Sequence, residues 1–243
     1  MSVLLTKELI KEYSGAKVVR GVSIDIKEGE IVGLLGPNGA GKTTTFYMIT
    51  GMITPTSGEV LLNNENITLM PMYKRAQMGI GYLAQEASVF TRLSVEDNLR
   101  LALEMTTLTK DQQDDRVEEL LDEFSITHIR KNIAMTLSGG ERRRTEIARS
   151  LVINPKFILL DEPYAGIDPL AVEEIQGIIL NLKKKGIGVL ITDHNVRETL
   201  SITDRSYLLY DGKVLFSGTS DEISADKEAR RLYLGDKFKM ESN

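Results

Sequence analysis

Gly36-Pro37-Asn38-Gly39-Ala40-Gly41-Lys42-Thr43 is the stretch that decides the fold of this 243-residue chain. It fits the pattern G-x-x-x-x-G-K-[ST], in which a glycine-rich loop follows a buried strand and opens a helix. The mostly apolar run 30–35 before it is typical of such a strand, and residues 43–49 carry no helix breaker before Gly51. The sequence therefore predicts a strand, a phosphate-binding loop and a helix in this order.

The composition of this loop suits a polyphosphate ligand. Its glycines let successive backbone N–H groups point at phosphate oxygens, and the start of the helix adds its positive end. Lys42 is a point charge for the β- and γ-phosphates, and the Thr43 hydroxyl is a ligand for Mg²⁺. A glycine-rich turn that fits the pattern by chance is the alternative, and the flanking strand and helix argue against it. We therefore expect a nucleoside triphosphate site.

Composition narrows the class of protein. The chain has 35 acidic and 30 basic side chains and a net charge of −5, which argues against a broad nucleic-acid-binding face. Cysteine is absent, so disulfides and thiolate metal sites are excluded, which fits the cytosol. A charge as early as Lys7 argues against a secretory signal, and no apolar run approaches the roughly 20 residues that cross a bilayer. Work at a membrane would need spans from another subunit.

The order of predicted elements indicates an α/β fold. The first 30 residues read as antiparallel strands around turns, and helical patterns dominate residues 88–154. Within that stretch, capping-box spacing at Ser94 and Asp97 opens a predicted helix over 98–105, and Thr109 and Gln112 repeat the signal before the next helix. Buried strands then return at 157–160 and 188–192, with a crossover helix between them, which is typical of a parallel sheet. The sequence thus predicts a β–α–β core that is interrupted by a helical lobe. A hairpin with a type I′ turn is predicted around Asp211-Gly212.

Two carboxylates end the first of these returning strands. Asp161 follows four apolar residues, and such a position beside the phosphate loop suits a ligand of Mg²⁺. The adjacent Glu162 points to the other side, where it can polarise a water for attack on the γ-phosphate. A strand that merely ends in two acids is the alternative.

The stretch Leu137-Ser138-Gly139-Gly140-Glu141 predicts a second anion site. Ser138 and Glu141 alone would fit a capping box at the start of a helix. The two glycines inside that box also bare backbone N–H groups at a helix N-terminus. A second phosphate-binding element in one chain suggests that two copies sandwich the nucleotide.

Taken in order, these motifs resemble the ATP-binding cassette (ABC) transporter ATPases. The loop, Gln85, LSGGE, Asp161-Glu162, the stretch 166–168 and His194 have the family's order and spacing over essentially the whole chain. The resemblance implies an ABC-type P-loop NTPase with a RecA-like mixed or parallel sheet core, an antiparallel β subdomain and an inserted helical subdomain. It divides one nucleotide-binding domain, 3–238, into a core and β subdomain (1–87 and 155–218), a helical signature subdomain (88–154) and a C-terminal extension (219–243).

The resemblance also implies roles for individual residues. ATP would contact Tyr13, which stacks on adenine, and the loop residues Gly36, Pro37, Asn38, Gly39, Ala40, Gly41, Lys42, Thr43 and Thr44. Catalytic roles fall to Glu162, His194, Gln85 and Lys42. Ordinary packing is the alternative for Tyr13, and a core histidine is the alternative for His194. The ligands of Mg²⁺ would be Thr43, Gln85 and Asp161. The opposite protomer of a homodimer would contribute Ser138, Gly139, Gly140 and Asp168.

A finer resemblance concerns the transport system. The stretch 192–199 and the ending 233–235 resemble the ATPases of lipopolysaccharide-export (Lpt) transporters, although ATPases of branched-chain amino-acid importers share several such pieces. This resemblance implies a subunit on the cytoplasmic face of the inner membrane that drives two membrane-spanning permease subunits and never contacts the transported substrate. Phe90 would line the groove that accepts them. A core phenylalanine is the alternative for that residue.

Two departures and two further classes stay open. Ala84 stands where the family usually has proline, and the polar tail 237–243 does not match closely. A soluble ABC ATPase that serves a non-transport assembly would lack a membrane partner. A non-hydrolysing nucleotide-gated module would not need Glu162 and His194.

Overall fold

Two β-sheets and a helical lobe make up the chain. The computed structural model describes residues 1–235 and 238. The strands are β1 (Val3–Tyr13), β2 (Ala16–Val22), β3 (Asp25–Lys27), β4 (Ile31–Leu35), β5 (Ser57–Leu62), β6 (Glu65–Asn66), β7 (Ile80–Leu83), β8 (Phe157–Asp161), β9 (Gly188–Thr192), β10 (Arg205–Tyr210) and β11 (Lys213–Gly218). The helices are α1 (Lys42–Thr50), α2 (Met72–Gln77), α3 (Val95–Leu103), α4 (Lys110–Glu123), α5 (Gly139–Ser150), α6 (Pro169–Lys184), α7 (Val196–Leu200), α8 (Ser220–Ala225) and α9 (Lys227–Ala229). Short 3₁₀ turns lie at Thr127–Ile129 and Ala134–Thr136, and a π-helical turn at Arg230–Leu234.

The central sheet has the strand order β11-β10-β4-β9-β8-β7. All neighbours in it are parallel except β10 and β11, which form the predicted hairpin. Every residue of β4, β8 and β9 is buried, as a parallel sheet covered on both faces requires. Because the carboxyl ends of these strands meet at one edge, the loops that follow them lie side by side, where ligands of such sheets bind.

The second sheet is antiparallel and fixes the helix that follows the phosphate-binding loop. Its order is β2-β1-β5-β6, and β3 pairs with β1. One apolar cluster joins this sheet to the central sheet through α1, whose Phe46 and Met48 are fully buried. Helix α1 is thus held between the two sheets, and its C-terminus is closed by Gly51 in the left-handed conformation, as predicted.

The helical lobe contains α3, α4 and α5, which fall within the predicted subdomain 88–154. Its apolar core is continuous with that of the central sheet, so its status as a separate subdomain stays a prediction. The predicted capping boxes at Thr109 and Ser138 are both formed. Ser94 also caps a helix, since its hydroxyl accepts from the Asp97 N–H at 3.0 Å, but α3 begins at Val95 and not at Asn98 as predicted. The Asp97 carboxylate accepts from the Ser94 hydroxyl at 2.5 Å and not from the Ser94 N–H, because an aspartate is too short to reach back to the backbone.

The C-terminal extension is described as far as residue 235. It packs α8, α9 and the π-helical turn against the carboxyl end of the central sheet through one apolar cluster. Of the tail 237–243, only Phe238 is described, so the contact between protomers that the tail could make lies outside the described residues. Within the described part of the chain, no helix combines the length and the apolar character that a bilayer span needs.

Candidate nucleotide site

The glycine-rich loop connects β4 to α1 in a conformation that needs its glycines. Gly36, Gly39 and Gly41 have φ angles of 147°, 79° and 98°, which side chains rarely allow. A Cβ atom on Gly36 would also lie 2.3 Å from the Leu209 carbonyl oxygen of the adjacent strand. Helix α1 begins at Lys42 without a side-chain cap, so its first N–H groups are available to an anion.

The Lys42 ammonium lies across this loop. It is buried, and its Nζ donates to the carbonyl oxygens of Gly36 at 2.7 Å and Pro37 at 3.1 Å. Burial lowers the pKa of Lys42, whereas the charges of Glu162 and Asp161 act in the opposite direction. The cation is therefore held within the loop by two of the loop's own carbonyls, and its contact with a phosphate stays a prediction.

A cleft of about 360 Å³ opens over the loop. It brings together most of the residues that the sequence proposed for catalysis and for phosphate binding. The lining consists of Val18, Asn38, Gly39, Ala40, Gly41, Lys42, Thr43, Thr44, Gln85, Glu162 and His194.

Both carboxylate oxygens of Glu162 are held by neighbours. Gln85 Nε2 donates to Oε2 at 2.7 Å, and His194 Nε2 lies 2.7 Å from Oε1. The side chain of Glu162 is 8% exposed, and its backbone has φ 49°, in the left-handed region. Its N–H donates to the Thr192 carbonyl at 2.8 Å. A carboxylate that is oriented in this way at the edge of a cleft is suited to accept a proton from water.

Asp161 ends β8 beside Glu162 and is fully buried. Its Oδ2 accepts a bond from the Tyr82 hydroxyl at 3.4 Å, and its Oδ1 has no hydrogen-bond partner among the residues that the structure describes. Burial and the charge of Glu162 raise the pKa of Asp161 to about 6. The Asp161 carboxylate, the Thr43 hydroxyl and the Gln85 amide oxygen are oxygen donors of the kind that Mg²⁺ prefers, and Thr43 and Gln85 line the cleft while Asp161 directly precedes Glu162. That these three residues hold Mg²⁺ together stays a prediction.

Several predicted ligand residues lie outside this cleft. Tyr13 ends β1 with its ring half exposed, and Lys11 Nζ lies 5.1 Å from the ring centre. Four others lie at the starts of α5 and α6: Ser138, Gly139, Gly140 and Asp168. The loop residues Gly36 and Pro37 and the buried Asp161 are also not part of the cleft lining. A Cβ on Gly139 would lie 3.4 Å from the Gly166 oxygen, so the two helix starts are adjacent. Asp168 caps α6 by accepting from Ala171 N–H at 3.0 Å. Contact of these residues with a nucleotide stays a prediction.

Phe90 does not behave as a core residue of the helical lobe. Its side chain is 49% exposed, and the Arg149 guanidinium lies 5.2 Å from its ring. The alternative of a core phenylalanine is therefore wrong, and its place in a partner groove stays a prediction.

Three residues that shape the site are not among those predicted from the sequence. Val18 lines the cleft, Tyr82 contacts Asp161, and Arg143 contacts the backbone on both sides of Glu162. The stretch 142–144 contains three consecutive arginines, one of which must face inward on a helix that packs on one side. Nothing in the sequence says which of them it is.

A phosphate-binding loop before α1, a buried Asp-Glu pair after β8 and a serine–glycine helix start define an ATP-binding cassette ATPase. The ABC transporter family profile matches residues 19–165, so this chain belongs to the ABC transporter family, and the predicted fold and ATPase class are confirmed. The chain is 53% identical to the lipopolysaccharide export system ATP-binding protein LptB of Haemophilus influenzae, over 99% of this chain and 100% of that protein.

Solved structures agree with this assignment. The ADP conformation of MJ1267, an ATP-binding cassette of an ABC transporter, matches with a TM-score of 0.87 and 28% identity over 97% of this chain and 100% of that one. The dimeric post-hydrolysis state of the cassette MJ0796, bound to ADP and Pi, matches with a TM-score of 0.79 and 26% identity over 89% and 98%.

Proposed function

We propose that this chain is the ATP-hydrolysing subunit of a lipopolysaccharide-export transporter. The observation that carries the proposal is the 53% identity to an LptB protein, which extends over 99% of this chain and all of that protein. In this proposal the chain binds ATP with Mg²⁺, works as a homodimer and drives membrane-spanning partners from the cytoplasmic face of the inner membrane. It makes no contact with the transported lipid.

The geometry supports a sequence of steps within one chain. The N–H groups of the loop and of the start of α1 bind the phosphates, and Lys42 exchanges its bonds to Gly36 and Pro37 for phosphate oxygens. Glu162, which is oriented by Gln85 and His194, accepts a proton from the attacking water. Thr43, Gln85 and Asp161 would hold Mg²⁺, which when bound would neutralise the charge that develops on the phosphates.

The proposed homodimer explains why one group of predicted residues lies outside the cleft. Ser138, Gly139, Gly140 and Asp168 do not line the cleft of their own chain, and in this proposal they complete the cleft of a second copy. The dimeric structure of the cassette MJ0796 with ADP and Pi supports the proposal of a dimer.

Identification of the membrane partner tests the proposed transport system. The tagged chain is purified from a detergent extract of its own cells, and the co-purified membrane proteins are identified by mass spectrometry. Two permease subunits of a lipopolysaccharide exporter are expected. Permeases of an amino-acid importer, or soluble partners alone, would contradict the proposal and favour the other classes.

Phe90→Ala is expected to weaken the association with the permease subunits. Burial of an exposed aromatic anchor is typical of binding hot spots, so its loss should lower the permease recovered per ATPase on the order of tenfold. The measurement is the same detergent purification, with quantification of both subunits. Leu180→Ala, which truncates an exposed apolar side chain on α6, is the matched control. Equal recovery with both variants would remove Phe90 from the partner groove.

A further inference from the structure

Arg143 lies on the inward face of α5 and joins segments that are far apart in sequence. Its side chain is 7% exposed, and all of its donor nitrogens are engaged. The acceptors are the carbonyl oxygens of Ala84 at 2.9 Å, Asp161 at 3.2 Å, Glu162 at 3.0 Å and Pro163 at 3.1 Å, and the Glu146 carboxylate at 3.0 Å.

These carbonyls belong to the backbone that carries two residues of the cleft. Ala84 directly precedes Gln85, and the other three carbonyls surround the left-handed turn at Glu162. A residue with φ 49° persists only where its surroundings fix it. The rigid fork of a guanidinium can bind several carbonyls in one fixed arrangement, which an ammonium cannot. Arg143 therefore holds together the two backbone segments whose side chains, Gln85 and Glu162, form a hydrogen bond.

Glu146 extends this arrangement toward the loop of Phe90. It lies one turn after Arg143 with its side chain 2% exposed. Its Oε2 accepts from Arg143, and its Oε1 accepts from the Ser88 N–H at 2.7 Å. Arg149 then donates to the Ser88 hydroxyl at 2.7 Å, and the same guanidinium lies over the Phe90 ring. Contiguous polar contacts thus connect the turn at Glu162 with the exposed loop 85–90.

We infer that Arg143 and Glu146 are a positioning pair that sets the place of Glu162 and Gln85 in the cleft and connects it to the loop 85–90. A partner that displaces this loop would alter the placement of Glu162 through the pair. The inference rests on the proposed role of Glu162 in ATP hydrolysis.

Arg143→Lys tests the positioning role, because lysine keeps the charge but loses the fork. A displacement of about 1 Å at a reacting group costs on the order of 10²-fold in rate, so kcat should fall by about that factor. KM for ATP should change by less than about threefold, because the loop and Lys42 bind the phosphates without Arg143. Arg116→Lys is the matched control, since Arg116 also donates to a backbone carbonyl, that of Leu151 at 2.7 Å, away from the cleft.

Two further variants keep the inference testable if Arg143→Lys does not fold: Glu146→Gln, and the double variant that combines it with Arg143→Lys. Glu146→Gln alone should lower kcat, and the double variant should be no slower than Arg143→Lys, because the effects of residues that act as a unit do not add. Unchanged kcat in Glu146→Gln, or additive effects, would overturn the inference. The inference would also be overturned if KM for ATP changed by as large a factor as kcat, and if Arg116→Lys lowered kcat as much as Arg143→Lys does. Failure of the proposed role itself is seen separately, as rapid hydrolysis by Glu162→Gln.

Discussion

Glu162→Gln is expected to lower the rate of ATP hydrolysis by a factor on the order of 10²–10⁴, the usual contribution of a general base, while ATP still binds. The amide has the volume of the carboxylate, but it cannot accept a proton at neutral pH. In addition, the variant replaces one carboxylate oxygen by an NH₂ group, which cannot accept a hydrogen bond. That group would lie next to Gln85 Nε2 or His194 Nε2, each of which is now 2.7 Å from one of the two carboxylate oxygens. Phosphate release under steady-state conditions measures the loss.

The same variant should accumulate as an ATP-bound dimer, which size-exclusion chromatography with and without ATP would detect. Glu119→Gln is the control, because that carboxylate is exposed and pairs with Arg116 on the helical lobe. Hydrolysis by Glu162→Gln at a rate near that of the control would mean that another group activates the water. A dimer that forms equally well without ATP would contradict the nucleotide sandwich.

The parts of the fold that the sequence predicted are those set by local chemistry. The glycine pattern at 36–41, the apolar run 157–160 and the caps at Thr109 and Ser138 each act within a few residues, so their outcome does not depend on the rest of the chain. Asp211 and Gly212 both have positive φ, as the predicted type I′ turn requires. At Ser94 the spacing was correct, but the length of the Asp97 side chain decided against the full capping box.

The parts that could not be predicted depend on contacts between distant segments. Gln85 and Glu162 are 77 residues apart, and their hydrogen bond requires that β7 pairs with β8. The inward orientation of Arg143 depends on the same pairing, because its carbonyl acceptors follow these two strands. The completed site is a still larger step, since the residues predicted to act in trans require a second chain.

Asp161→Asn is expected to change the pH dependence of the protein's stability. It should also abolish the additional stability that ATP confers when Mg²⁺ is present. Burial raises the pKa of Asp161 in the folded state to about 6, whereas the unfolded value is about 3.9. Between these values the folded state keeps a proton that the unfolded state releases, so the free energy of unfolding falls as the pH rises through the folded pKa. A shift of about two units corresponds to a cost on the order of 3 kcal/mol at neutral pH.

The asparagine variant cannot lose that proton, so in EDTA its stability relative to the wild type should rise from pH 4 to pH 7 by up to that amount. Urea unfolding across this range measures the difference, with Asp114→Asn, a substitution of an exposed carboxylate on α4, as the control. If the free energies of unfolding of the wild type and Asp161→Asn changed in parallel with pH, the charged Asp161 carboxylate would carry no free-energy cost in the folded state. With ATP and Mg²⁺ the wild type should become more stable than Asp161→Asn. Only a carboxylate at position 161 can bind a cation at the unpartnered Oδ1, and that binding offsets the free-energy cost of burying the charge. A group that serves binding and not folding should carry a charge that destabilises the protein without ligand. Binding of the ligand should then remove that destabilisation.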